Sequence, residues 1–332
     1  MKTLFRSLSV ITCFILFIFS ACQPNEAAHG TDDTQINDTA NKTDYEKRLI
    51  SLNQQIESRP GDADLYFQRS AYHLVMQNYQ LAARDIGEAV SLDTTNAEYL
   101  YRQGIINEKL PYVKGAIRSF TKAVQYDPKY TEAFLHLGQN YFYVKEYDSA
   151  NRALMKAIDF DPLRHEAYYF RGLVLKESGK RDLAAASFQR AVEIYPQYFE
   201  AYLQLGELYA AKKDRRAASY YSNALRISPG SLQALYGRGK FYQDVDSFDR
   251  AIADYSEILR VDSSYLTTSY NIGFIYFKQK EFEKAIDYFS RSIETDPEHS
   301  EAYYGRALSY EALGQKIQAE EDFFRAEEMH AE

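Results

Sequence analysis

Apolar and small residues return along this chain at a fixed interval. Ala82, Ala116, Ala150 and Ala184 are followed by Ala217, Ala251, Ala285 and Ala319, spaced 34 residues apart with a single step of 33. Gly104, Gly138, Gly172, Gly206, Gly239 and Gly273 keep the same interval with the same slip. So do Pro128, Pro162, Pro196, Pro229 and Pro297, with Thr94 and Ser263 in the vacant slots. Three residue classes sharing one period define a repeat array.

Within one period, HEAYYFRGLVLKESGKRDLAAASFQRAVEIYPQ, the pattern predicts two helices. Tyr168, Gly172 and Leu175 share one face at i, i+4, i+7. Gly179 breaks the first helix. Ala184, Phe188 and Ala191 then repeat the spacing on a second helix, and Pro196 ends the unit. The small residues mark a close helix crossing, and Phe188 fills the space beside them. Eight units start near Ala63, Ala97, Thr131, His165, Phe199, Leu232, Leu266 and Ser300. The fifth, around AAKKDRRAA, is shorter by one residue, which the pattern assigns to its turn. Ser70 and Ala307 occupy the glycine slot of the first and last units. Ile258, Ser292 and Ser269 depart from the pattern in the sixth and seventh, making that junction the least well packed.

Before the repeats, Thr43 and Glu46 read as a capping box. Tyr45, Leu49, Leu52 and Ile56 then form the stripe of a lone helix over 43–62 that covers the first unit. At the other end, Glu320 and Glu327 stand where earlier units carry apolar residues, so the array is expected to be complete with its eighth unit over 63–332. The expected class is all-α.

The period and its residues closely resemble the tetratricopeptide repeat. That resemblance implies a right-handed α-solenoid whose concave face receives a partner's peptide or helix. It places Phe67, Tyr101, Tyr169, Tyr236, Tyr270 and Tyr304, with Leu135 and Leu203 between them, three residues before each glycine slot and on the groove side of the first helix. Tyrosine suits such a surface, offering area at low entropic cost and a hydroxyl for bonding. The alternative is that these rings pack on neighbouring repeats. Relatives that grip a C-terminal carboxylate present Lys and Asn in the groove; here only Asn271 stands in a plausible place.

The first 22 residues, MKTLFRSLSVITCFILFIFSAC, change the picture. Lys2 and Arg6 precede an apolar run over 8–19, too short to span a bilayer comfortably, and Ser20, Ala21 and Cys22 follow. This resembles a lipoprotein signal, with residues 1–21 removed and Cys22 lipidated, although Phe19 stands where the pattern usually has Leu or another aliphatic. A plain signal peptide with an incidental cysteine, or an uncleaved anchor, is the alternative. Polar residues 22–42 read as a disordered tether. The expected location is the bacterial envelope, lipid-anchored, at the periplasmic or surface face and most simply the outer membrane.

Composition agrees with a packed helical array. The chain has 30 Tyr, 20 Phe, no Trp and only 8 Pro in 332 residues. Its net charge of −8 argues against nucleic acid as a partner. Its two cysteines, Cys13 and Cys22, exclude a disulfide framework. No nucleophile, phosphate-loop or metal motif is legible. His73 reads as a packed histidine, and the Arg171-Gly172, Arg238-Gly239 and Arg306-Ala307 pairs as a repeat feature. No enzyme activity, cofactor, metal or small-molecule substrate is expected. The preferred function is a membrane-anchored scaffold for envelope proteins. The rival is a carbohydrate-binding lipoprotein of a glycan-uptake system, whose long sugar-site loops a gapless period leaves no room for.

Overall fold

The computed structural model describes residues 33–330 except Leu266, and side chains from Tyr45 to Met329. The expected signal over 1–21, Cys22 and the expected tether up to residue 32 lie outside the described residues, as does Leu266, the expected start of the seventh unit. Seventeen helices and no strand occur among the described residues. A long α1 (Asp33–Ser58) leads into helix pairs α2 (Ala63–Val75) and α3 (Tyr79–Leu92), α4 (Ala97–Lys109) and α5 (Val113–Tyr126), α6 (Thr131–Tyr143) and α7 (Tyr147–Phe160), and α8 (His165–Glu177) and α9 (Arg181–Ile194). Four further pairs are α10 (Phe199–Ala210) and α11 (Arg216–Ile227), α12 (Leu232–Asp244) and α13 (Phe248–Val261), α14 (Thr268–Lys278) and α15 (Phe282–Thr295), and α16 (Ser300–Ala312) and α17 (Lys316–His330). Each second helix packs on its own first helix and, from α3 to α15, on the next one. First helices of successive units also touch, as in α6 with α8, α10 with α12 and α14 with α16, which puts them on the inner side of the solenoid.

The small-residue slots are close crossings. A β-carbon at Gly172 would lie 2.5 Å from the Phe188 ring, and one at Gly104 2.4 Å from Phe120. Ser70 fits its slot because the facing side chain is the narrower Ile86; its hydroxyl donates to the Phe67 carbonyl at 2.7 Å. Between the helices of seven of the eight pairs one residue turns left-handed. It is glycine at Gly179 and Gly314 (φ 75°), but Gln77, Lys145, Lys213, Asp246 and Lys280 hold the same slot at φ 53–62°, at a cost of roughly 1 kcal/mol each.

Three expectations are corrected. Helix α1 begins at Asp33, so Thr43 lies inside it and is not its cap, and residues 33–42 are helical, not a disordered tether. The stretch DTQINDTANK contains neither Gly nor Pro. Extending a helix already held by buried Leu52 and Ile56 is easier than nucleating one. In the fifth unit the turn has not shortened. The left-handed Lys213 keeps its register, and the missing residue falls after it: Ala217 follows by four residues, against five from Gly179 to Ala184. Helix α11 consequently starts late, at Arg216, whose amide donates to Asp214 Oδ1 at 2.9 Å.

Three of the arginines that stand just before a small-residue slot have a structural role that the sequence did not disclose; the fourth, Arg171, faces Ser187 and donates to its Oγ at 3.0 Å. Arg69, Arg238 and Arg306 each make a two-pronged ion pair with the aspartate 16 residues on. Arg238 Nε and Nη2 donate to Asp254 at 2.9 and 2.6 Å, and Nη1 donates to Ser222 Oγ on the preceding unit at 2.8 Å. Arg69 repeats this with Asp85 and Asn53, and Arg306 with Asp322 and Ser290. The aspartate side chains are only 4–8% exposed. The hydrogen bond to its aspartate raises the pKa of each of these guanidinium groups. Each clamp therefore ties three helices together.

His73 packs beside the first clamp, with Nε2 3.6 Å from Asp85, and burial is the main cause lowering its pKa below 6.5. The unfolded chain thus binds the proton more readily. Stability is full above about pH 6.5 and falls as pH drops through the lower folded value. Denaturation midpoints of the native chain are expected to fall below pH 6.5 more steeply than those of His73→Phe. Parallel profiles would remove His73 from the account.

The sixth–seventh junction carries buried polar groups where other units are apolar. Thr268 and Ser269 are 0% and 5% exposed, and α14 is only 11 residues long. Thr268 Oγ1 and Asn271 Nδ2 are buried without a hydrogen-bond partner among the described residues. Because stability in an array is roughly nearest-neighbour, amide exchange is expected to be faster across residues 258–295 than across 131–198. Equal protection would contradict a weak junction.

Candidate protein-binding groove

The residues singled out three places before the glycine slots lie on the inner helices. Leu135 and Leu203 are buried, and Phe67, Tyr101, Tyr169, Tyr236 and Tyr270 are half-buried. Tyr304, in the last unit, is 53% exposed. Each central ring leans two ways. Tyr101 lies 5.7 Å from Phe120 of its own unit and 4.9 Å from Tyr130, which precedes the next. Tyr169 sits 5.7 Å from Phe188 and 4.8 Å from Tyr198. Tyr236 lies 6.0 Å from both Tyr255 and Tyr265, and Tyr270 5.7 Å from Phe289 and 4.9 Å from His299. Phe67 rests 4.9 Å from Tyr99, with the Arg102 guanidinium 4.8 Å from its ring centroid. The packing alternative thus holds for these rings. The rings bind adjacent units together and leave one side uncovered.

Tyr130, Tyr198, Tyr265 and His299 form a second ladder that the sequence reading missed. Their signal was present, since they occupy one slot of the period at its close. Arg164 fills that slot between Tyr130 and Tyr198 and pairs with Glu132 at 2.7 Å. Burial raises the pKa of Tyr101, Tyr130 and Tyr270 above the ordinary phenol value, so these hydroxyls stay protonated.

Polar rungs join successive inner helices. Glu108 of α4 accepts from Asn140 of α6 at 2.5 Å and lies 3.2 Å from His136 Nδ1. Lys176 of α8 donates to Gln204 and Glu207 of α10 at 2.9 and 2.7 Å. His136 also stacks on Phe120 at 5.3 Å. The inner face thus alternates half-covered aromatic rings with hydrogen-bonding groups, a surface suited to a polypeptide's side chains and backbone. Asn271 is buried, which removes the one residue placed for a carboxylate grip.

An array of helical hairpins with aromatic rings along its inner face defines a helical-repeat protein. Profiles described as tetratricopeptide repeat match residues 135–199, 174–231, 268–299 and 288–321. The chain belongs to the tetratricopeptide repeat family. Human tetratricopeptide repeat protein 6 is 30% identical over 96 residues, 29% of this chain and 18% of that protein. Mouse serine/threonine-protein phosphatase 5 is 32% identical over 100 residues, 30% of this chain and 20% of the phosphatase. The chain thus spans about a fifth of the length of these relatives. Among solved structures, Pseudomonas aeruginosa PilF is 17% identical with a TM-score of 0.54, covering 65% of this chain and 97% of its own. YrrB, titled a TPR protein with an unusual peptide-binding site, is 24% identical with a TM-score of 0.50, covering 56% of this chain and 97% of its own. Both support the fold.

Proposed function

We propose that this chain is a lipid-anchored scaffold of the bacterial cell envelope that holds a peptide or helix of other envelope proteins against its inner aromatic ladder. The half-covered tyrosines carry this reading: they are large rings on the inner helices that packing within the array leaves partly open. The anchor rests on the sequence alone, on a short apolar run ending in Ser20-Ala21-Cys22. A diacylglycerol and further acyl chain contribute roughly 0.8 kcal/mol per buried methylene, enough together for stable attachment. A carbohydrate-binding role is not favoured, because consecutive helices are joined by short turns without inserted loops.

Cys22→Ser tests the anchor. The variant is expected to leave the membrane fraction or to accumulate unprocessed. If it stays in the membrane at its normal mature mass, lipidation at Cys22 is wrong. Purification of the native protein with its crosslinked neighbours tests the envelope partner; neighbours confined to the cytoplasm would contradict it.

A further inference from the structure

A second feature lies at the shortened fifth unit, away from the tyrosine ladder. Beside the late start of α11, space lies between its first turns, the C-terminal end of α12 and the turn into α13. A cavity of about 730 Å³ lies there. Lys213 and Arg215, from the KKDRR turn, line it from one side, and Arg250 of α13 lines it from the other. No Asp or Glu is among its lining residues, in a chain of net charge −8. Neighbouring cations are spoken for: Lys212 pairs with Asp182, Arg216 with Asp214 and Lys240 with Asp244. Among the described residues no carboxylate forms an ion pair with Lys213, Arg215 or Arg250. The Arg250 guanidinium lies 5.6 Å from the Tyr242 ring centroid. Asp246 and Asp249 are close in sequence but do not line the cavity.

We infer that this cleft is a second binding site, which takes an acidic peptide segment of a partner protein. Charge complementarity selects an anionic ligand. Three cations on two separate elements call for more than one negative group, and the volume lies in the range that holds ligands far larger than a simple ion. Ser219, Asn223 and Ser247 offer hydrogen bonds to a peptide backbone, and Phe241 offers an apolar wall. The site shares no residue with the aromatic ladder and does not depend on it.

The test uses the full chain and a fluorescein-labelled pentapeptide, Asp-Glu-Phe-Asp-Glu, read by anisotropy. Its counterpart with Asn and Gln in place of the acids is the neutral control. The acidic peptide is expected to bind, and the neutral one to bind at least tenfold more weakly. Affinity is expected to fall between about 0.01 and about 0.15 M salt, as the Debye length shrinks from about 30 to about 8 Å. The combined variant Lys213→Glu, Arg215→Glu, Arg250→Glu is expected to lose at least tenfold in affinity, with Lys122→Glu on exposed α5 unchanged. The milder set Lys213→Gln, Arg215→Gln, Arg250→Gln covers the case of misfolding. Tyr169→Ala, Tyr236→Ala and Tyr270→Ala together should leave this binding intact, which separates it from the groove. The inference is overturned by any of four results: no binding of the acidic peptide up to about 1 mM, equal binding of the neutral peptide, equal loss in Lys122→Glu, or inorganic phosphate competing as strongly as unlabelled peptide.

Discussion

Asp254→Ala is expected to destabilise the array by about 3–5 kcal/mol, the usual cost of leaving a buried charge without its partner. Asp254 is 7% exposed and accepts both prongs of Arg238, which also holds Ser222 of the preceding unit. Removing the carboxylate leaves the guanidinium desolvated with one neutral partner. The same slots show how the loss is recovered, because the clamp is not used in every unit. Leu137 and Ala153 stand in them in the third unit, both largely buried. Arg238→Leu combined with Asp254→Ala is therefore expected to be far more stable than Asp254→Ala alone, since an apolar pair is often as stable as a buried ion pair. Denaturant unfolding followed by helical signal, with hydrogen exchange to localise the change, measures both. A loss under 1 kcal/mol in Asp254→Ala would mean that the clamp is solvated in practice. A double variant no better than the single would mean that the sixth unit requires the ion pair.

Much of this architecture was legible because the period is carried by residues with a geometric duty. Gly172 and Phe188 announce their crossing from spacing alone, and the structure puts the ring 2.5 Å from where a β-carbon would stand. The clamp was less legible. An arginine before a glycine and an aspartate 16 residues on look like two solvated charges until the helices are paired. The left-handed slot was visible only where it is glycine, since Lys145 and Lys280 carry no mark of a positive φ in their identity. Polar residues 33–42 lack an apolar stripe, so nothing in their pattern distinguished a continued helix from a tether. The second ladder, Tyr130, Tyr198, Tyr265 and His299, followed the period but sat beyond the last helical residue of each unit, where a scan for helix faces does not look. The basic cavity lies beside the one-residue deletion, and its cations come from two segments more than thirty residues apart.

The inner tyrosines decide the functional account. Tyr169→Ala, Tyr236→Ala and Tyr270→Ala are each expected to weaken binding of a groove ligand by about tenfold or more, since exposed aromatic anchors commonly contribute over 1–2 kcal/mol at an interface. Because these rings are half-buried against Tyr198, Tyr265 and His299, each change is also expected to cost some folding stability, about 1–2 kcal/mol. Phe188→Ala is the reference for a ring with no exposed side. It is fully buried, so its truncation should cost about 3–5 kcal/mol of stability. The direct measurement is the affinity of a peptide selected from a random library on the full chain, compared between the native protein and the triple tyrosine variant at a temperature where both are folded. The groove account predicts that the triple variant loses at least a hundredfold in affinity while Lys213→Glu, Arg215→Glu, Arg250→Glu retains it. Unchanged affinity in the folded triple variant would contradict the account and leave the ladder as packing between repeats.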